Sequence, residues 1–352
     1  MISHVKIINF RTLRNIEVDH LKRISLISGR NNVGKSTFLE SIFLMMDHSS
    51  PDSFQALNSF RGMVGSGTSF LWEPLFYNFD SANQVEIETK DGKQTSHLAY
   101  KRDENYSLGK VKGLSEETVA QFRAASRQSY SLAFEFEDGN YHENGHFSIN
   151  GANTLREVQT SLPGNEIQLM PPTRYITPFI SRFSSSALND IGKLELQGKK
   201  DEVISILKLM DESIEDVVTL SVQGVTQLYI RSNGRLFPLQ YAGDGIIVLL
   251  NICLAIIENP NGIVLIDEIE SGLHYSMYGK LWHAIDELSR EYNCQVIATT
   301  HSYEMIAAVQ DHLSDKDDFV YYRFGRSNSD IKSFEFDYKY LITALDSDLE
   351  IR

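Results

Sequence analysis

Nine consecutive residues, Gly29-Arg30-Asn31-Asn32-Val33-Gly34-Lys35-Ser36-Thr37, carry two glycines, an ammonium and two hydroxyls at the spacing of a phosphate-cradling loop. The run Ile24-Ser25-Leu26-Ile27 before them reads as a buried strand, and Phe38 to Met46 after them reads as a helix. A glycine turn between a strand end and a helix N-terminus presents successive backbone N–H groups and the positive end of the helix dipole to phosphate oxygens. In that setting Lys35 reaches the β- and γ-phosphates of a nucleoside triphosphate, and the Ser36 hydroxyl ligates Mg²⁺.

The elements that must complete such a site lie far down the chain. Ile263-Val264-Leu265-Ile266-Asp267-Glu268 is an apolar strand ending in two carboxylates. Ligands of open α/β sheets sit at that strand edge. Asp267 is placed to hold Mg²⁺ through water, because this ion prefers oxygen ligands and keeps much of its hydration. Glu268 is placed to orient or deprotonate an attacking water. A third strand, Gln295-Val296-Ile297-Ala298-Thr299-Thr300, leads into His301-Ser302, where an imidazole can contact the γ-phosphate and link it to that water.

In this order the motifs resemble the ABC-type ATPase head, and within it the branch shared by SMC-like and overcoming-lysogenization-defect-like ATPases. Val5-Lys6-Ile7-Ile8-Asn9-Phe10-Arg11 is similar to that branch's first strand and Asn-Phe-Arg turn, which assigns Arg11 to the nucleotide site. Glu268-Ile269-Glu270-Ser271-Gly272-Leu273-His274 resembles its extended acidic strand, with Leu-His where transporters have Leu-Asp. The resemblance spans residues 1–50 and 236–312. It implies an α/β P-loop head with a mixed sheet that uses ATP and Mg²⁺ and closes as a homodimer. The signature that completes the partner's site corresponds to Leu239-Gln240-Tyr241-Ala242-Gly243-Asp244-Gly245, before the apolar helix Ile246 to Ile257. Its usual serine falls on Ala242 or Gly243, so the hydroxyl is missing. The N–H groups of Gly243, Asp244 and Gly245 at the helix start remain.

Composition bounds the rest. With 42% hydrophobic and 23% charged residues, the 352-residue chain is an ordinary globular sequence able to bury a large core. A formal net charge of −14 argues against a protein coated in basic surface for nucleic acid, though not against a local basic groove. Cys253 and Cys294 sit in apolar segments without metal-ligand spacing, as core residues of a reducing compartment. No signal pattern opens the chain, and its longest apolar stretch is too short to span a bilayer. A cytoplasmic protein without membrane contact is expected.

The organisation follows from where the motifs fall. Residues 1–80 and 236–352 are expected to form the head, and residues 81–235 an inserted, exposed arm of antiparallel β-hairpins and helix. Alternating runs such as Val85-Glu86-Ile87-Glu88, with turns at Asp91-Gly92 and Asp138-Gly139-Asn140, read as hairpins. Residues 187–213 read as helical, 216–222 with 226–231 as a hairpin, and the tail as two strands and a short helix. The aromatic residues of 52–80 read as core. His142, Glu143 and His146 read as part of a solvated turn, and Arg174, Arg182, Lys193, Lys199 and Lys200 as a charged surface face. No heptad run marks a long coiled coil, and the tail after His301 is too short for the nuclease domain of overcoming-lysogenization-defect nucleases.

These readings converge on an ATPase head whose effector, a nuclease or toxin, is a separate polypeptide, as the resemblance to the ATPases of bacterial anti-phage defence systems implies. Two rivals stand beside it. One is a DNA repair or recombination ATPase that grips DNA directly; the other is a scaffold that binds ATP with little turnover.

Overall fold

The computed structural model describes residues 1–62, 72–103, 131–150, 153–161, 170–178, 186–327 and 330–347. Its functional frame is a six-stranded sheet in the order β16-β15-β3-β14-β13-β9, comprising β3 (Ile24–Gly29), β9 (Thr173–Ile176), β13 (Ile263–Ile266), β14 (Gln295–Thr299), β15 (Phe319–Ser327) and β16 (Asp330–Asp337). All neighbours run parallel except β16, which pairs antiparallel with β15 at the edge. The central strands are buried on both faces, which is why they read as unbroken apolar runs. Parallel alignment brings the C-terminal ends of β3, β13, β14 and β9 to one edge. The loop at Arg30, the carboxylate of Asp267 and the turn at His301 therefore share that edge.

One face of this sheet packs on α5 (Asp244–Ile257) and α6 (Tyr278–Glu291), with Leu26, Val264, Ile266, Val296 and Ala298 in the shared core. The opposite face packs on α1 (Lys35–Met46), which is buried along nearly its whole length. A helix buried on nearly every side needs cover on both faces. The second cover is a seven-stranded antiparallel sheet in which β1 (His4–Phe10) pairs with both β2 (Leu13–Val18) and β4 (Val85–Asp91). Val5, Ile7, Val85 and Ile87 alternate inward from it onto the α1 layer.

The segment 81–235 divides differently from an exposed arm. β4, β5 (Gln94–Asp103), β6 (Ser131–Asp138), β7 (Tyr141–Asn150) and β8 (Asn153–Ser161) are the hairpins expected from alternation, but they extend the sheet begun by β1. The β1–β2 hairpin leaves one edge of β1 open, and β4 fills it. β9 closes the edge of the six-stranded sheet beside β13. The helical stretch is two helices, α3 (Ser186–Gln197) and α4 (Lys200–Met210), separated at Gly198 with φ 71°. They pack with a small sheet of β10 (Ile214–Val222), β11 (Val225–Ser232) and β12 (Arg235–Pro238) against α5.

Other expectations resolve within this frame. Trp72, Phe76, Phe54 and Phe147 are core, while Phe70 and Leu71 lie outside the described residues. Glu143 points inward to His48 at 3.2 Å, and strand alternation puts His142 and His146 on the opposite face, so the three do not share one ion. Arg174, Lys193 and Lys200 are ion-paired with Asp190, Glu258 and Glu195 at 2.9–3.1 Å. Arg182 lies outside the described residues. Both cysteines are free and buried, and burial pushes the Cys294 thiol up to about 12. Among the described residues no helix is long and apolar enough to cross a membrane.

Candidate nucleotide site

The loop between β3 and α1 takes its shape from residues that tolerate left-handed backbone. Gly29 has φ 143°, Asn32 φ 62° and Gly34 φ 80°, and Gly34 caps α1. A Cβ on Gly29 would lie 2.4 Å from the Phe324 carbonyl oxygen, and one on Gly34 would lie 2.5 Å from Leu13 Cδ2. β15 and the β1–β2 turn thus press on the two glycines. The Lys35 ammonium curls over the loop and donates to the carbonyls of Gly29 at 2.7 Å and Arg30 at 3.1 Å. Burial lowers its pKa, against the opposing fields of Asp267, Glu270 and Glu268.

The acidic strand meets this loop through one oxygen. Asp267 Oδ1 accepts from Ser36 Oγ at 3.0 Å and from Thr299 Oγ1 at 2.6 Å, and Thr299 Oγ1 accepts in turn from the Glu268 amide at 2.9 Å. Three elements distant in sequence are therefore tied at one point, and their oxygen donors suit a hard cation such as Mg²⁺. Glu268 is exposed beside it, with its backbone at φ 49°. Partial desolvation, then the neighbouring Asp267 charge, raises its pKa. His301 is held by Glu270, whose Oε1 lies 2.7 Å from His301 Nδ1 and accepts from its backbone N–H at 2.8 Å.

Arg11 reaches the other side of α1. Its Nη1 lies 3.0 Å from Glu40 Oε2, and Arg61 grips the same carboxylate at 2.8 and 2.9 Å. Arg61 Nη2 also donates to Thr37 Oγ1 at 3.4 Å, at the end of the phosphate loop. Arg11 is buried, which lowers its pKa, and its Nε and Nη2 make no hydrogen bond within the described protein. Tyr175 of β9 lies in the fields of Asp267 and Glu40, its phenol pushed well up by burial. Sequence reasoning missed Glu40, Arg61 and Tyr175. A signal for Glu40 existed: it is the one acid in α1, four residues after Ser36 and on the same helix face.

The signature lies on a different neighbour. Gly243, φ 88°, caps α5, and a Cβ there would meet open space. Gly245 faces Leu273, and Gly272 faces Asp244, so Gly243-Asp244-Gly245 packs against the turn after the acidic strand. The neighbours of the loop glycines come instead from β15 and the β1–β2 turn. Tyr241, 80% exposed, and Tyr275, 66% exposed, flank the signature and that turn.

A glycine loop closing onto α1, an acid-ended parallel strand beside it and a histidine one strand over define a P-loop ATPase head of the SMC/ABC type. Over residues 24–307 the chain matches, and belongs to, the family described as "AAA domain, putative AbiEii toxin, Type IV TA system". It is 25% identical over 336 residues to an ATP/GTP phosphatase of Helicobacter pylori, covering 90% of each chain. A shorter match, 46% identical over 44 residues and 12% of each chain, is to the DNA replication and repair protein RecF of Nitrosococcus oceani. In fold the chain is similar to an SMC head bound to the C-winged helix domain of ScpA, with a TM-score of 0.53, 12% identity, and 97% and 99% of the two chains covered.

Proposed function

We propose that this protein binds ATP with Mg²⁺ between the Gly29–Thr37 loop and Asp267, hydrolyses it, and couples nucleotide-dependent dimer closure to a separate effector. The observation that carries this reading is the meeting of Ser36 and Thr299 on Asp267 Oδ1, beside the Lys35 loop and the exposed Glu268. The residues fit the nucleotide. The Lys35 ammonium already makes hydrogen bonds to loop carbonyls that phosphate oxygens replace, and the glycine cradle leaves no space for side chains. The buried N–H groups of Arg11 without partners fit an anion on the α1 side.

Bound ATP·Mg²⁺ supplies the transferable phosphoryl group and the cation that neutralises its charge. Lys35 and the N–H groups of Asn31, Asn32, Val33 and Gly34 hold the phosphates. Ser36 and Asp267, which already meet at 3.0 Å, would hold the metal. Glu268 orients the attacking water and takes its proton, a role its raised pKa suits. His301, fixed by Glu270, faces the γ-phosphate. Arg61 adds a positive charge next to Thr37, held by Glu40.

The exposed Gly243-Asp244-Gly245 cap, turned away from its own loop, supports a head-to-tail homodimer in which each signature covers the partner's ATP. The family description names a toxin–antitoxin system, and the SMC head of similar fold carries a partner protein. In this reading the effector is a separate nuclease or toxin, in a bacterial anti-phage defence system of the cytoplasm. Measuring Mg²⁺-dependent ATP turnover for the parent, Lys35→Ala and Glu268→Gln tests the core of this reading. Parental turnover in both folded variants would overturn it.

A further inference from the structure

A cleft of about 500 Å³ lies on the outer side of the phosphate loop, between Arg30 and Asn31 of the loop and the β15–β16 hairpin. Arg323 and Phe334 face each other across the hairpin in direct register, and Arg326 stands at its end. Arg30, Arg323 and Arg326 have no carboxylate partner among the described residues. Arg326 Nη2 donates to the Asn32 carbonyl at 3.2 Å, which anchors one edge of its guanidinium and joins the cleft wall to the loop. Asp330, at the turn of the hairpin, lies 3.8 Å from Arg14.

Three uncompensated guanidinium groups are unusual in a chain of net charge −14, where acids are in excess and readily pair with arginine. The aromatic beside them is also unusual. Phe334 is 49% exposed and shares its face of β16 with Phe336, which packs partly buried against the core. Its ring lies on Gly325, where a Cβ would come within 3.4 Å of Cε2. Glycine thus lets the ring lie close to the strand as an open platform. Guanidinium groups around an exposed aromatic ring match a phosphate ester joined to a base, since arginine pairs with phosphate oxygens and the ring stacks on a base. The volume is that of a small-ligand site and admits about one nucleotide unit.

We propose that this cleft is a second nucleotide-type site, distinct from the triphosphate loop. It takes a phosphate between Arg30, Arg323 and Arg326 and a base on Phe334. The unit comes either as a free nucleotide or as part of a single-stranded nucleic acid. The Arg326–Asn32 hydrogen bond joins the wall of the site to the phosphate loop.

Fluorescence anisotropy of the full chain with saturating ATP·Mg²⁺ tests this, using a dye-labelled adenosine monophosphate and a dye-labelled short DNA or RNA strand as probes. A probe should bind while the loop is filled. Arg323→Glu and Phe334→Ala should each weaken that binding at least about tenfold, while ATP affinity stays within about twofold. A strand that binds far more tightly than the mononucleotide, with a steep salt dependence, identifies nucleic acid as the source; equal affinities identify a free nucleotide. The proposal is overturned if neither probe binds with ATP present. It is equally overturned if Arg323→Glu and Phe334→Ala weaken ATP itself, because the cleft is then the outer part of the ATP site. Lys35→Ala tests the triphosphate site separately, and it should keep probe binding while losing ATP.

Discussion

Nδ1 and the backbone N–H of His301 converge on a single oxygen, Oε1 of Glu270, at 2.7 and 2.8 Å. Glu270 is buried, and its other oxygen makes no hydrogen bond within the described protein. The two glutamates after Asp267 therefore differ in kind. Glu270 is committed to holding the turn after β14, whereas Glu268 stands exposed at the sheet edge.

It follows that Glu270→Ala should loosen His301 without removing the group that activates water. We expect ATP turnover to fall several-fold with ATP affinity changed by less than about threefold, and His301→Ala to show a similar loss. The double variant should be no worse than the single ones, because residues acting as one unit are not additive. Steady-state kinetics on the three proteins check this. Additive losses would show that the Glu270–His301 contact does not matter for turnover.

On the proposed mechanism Glu268 sets the pH dependence. Its carboxyl is held above the ordinary glutamate value by desolvation and by Asp267, so turnover should rise with pH through that raised pKa. Glu268→Gln should lose this limb and run at least about tenfold slower, a barrier increase of about 1.4 kcal/mol. Stability carries the same sign. A group whose pKa rises on folding contributes stability at low pH and loses it as pH increases through the folded value. Glu268→Gln should therefore melt higher than the parent at neutral pH, and the gap should close in acid. A Tm difference independent of pH would contradict the origin given for the shift.

Lys35→Ala removes the only ammonium held within the loop by the Gly29 and Arg30 carbonyls. We expect ATP affinity to fall at least about tenfold while the Tm stays near the parental value, since a partly desolvated cation is deleted along with its contacts. Titration calorimetry with ATP·Mg²⁺ reads the first quantity and thermal melting the second.

Glu40 balances two guanidinium groups, and its removal should cost stability before it costs chemistry. Glu40→Ala leaves Arg11 buried against α1 without its counter-charge, a change worth about 3–5 kcal/mol for a buried pair. Glu40→Met combined with Arg11→Met should recover much of it, because well-packed apolar replacements of buried pairs are often neutral. Denaturant unfolding of the parent and both variants decides. If Glu40→Ala costs no more than a surface substitution, the cluster contributes nothing to the fold.

The parts of this site that were legible in sequence are those in which local pattern and chemistry coincide. β3, β13 and β14 are largely apolar runs that lead into Gly29, Asp267 and Thr299, so strand ends and reactive groups are read together. The register of the seven-stranded sheet was not legible, because alternation in Val85–Asp91 fixes which side chains face inward but not which strand lies alongside. β9 was missed for a related reason. Four residues beginning Thr173-Arg174 carry no period of their own, and only pairing with β13 makes them a strand. Arg61 and Tyr175 show no motif, and Glu40 only its place one turn after Ser36, since their chemistry arises when α1, the end of α2 (Pro51–Phe60) and β9 meet.

The last prediction concerns assembly. The Gly243 cap opens to space, and Tyr241 and Tyr275 expose aromatic surface on either side of it. A second subunit that covered this surface would bring the N–H groups of Gly243, Asp244 and Gly245 to a γ-phosphate in the facing loop. On the proposed mechanism Glu268→Gln should trap unhydrolysed ATP, and a ligand shared by two subunits stabilises their association by mass action. That variant should sediment as a dimer with ATP·Mg²⁺ and as a monomer without it. Gly245 is a poor place to block the interface, because its Cβ would point at Leu273 and Met210 of the same chain. Asp244 is exposed, so Asp244→Trp added to Glu268→Gln should weaken dimerisation at least about tenfold while each monomer still binds ATP. Dimers that form equally well with Asp244→Trp would place the nucleotide-dependent interface elsewhere on the head.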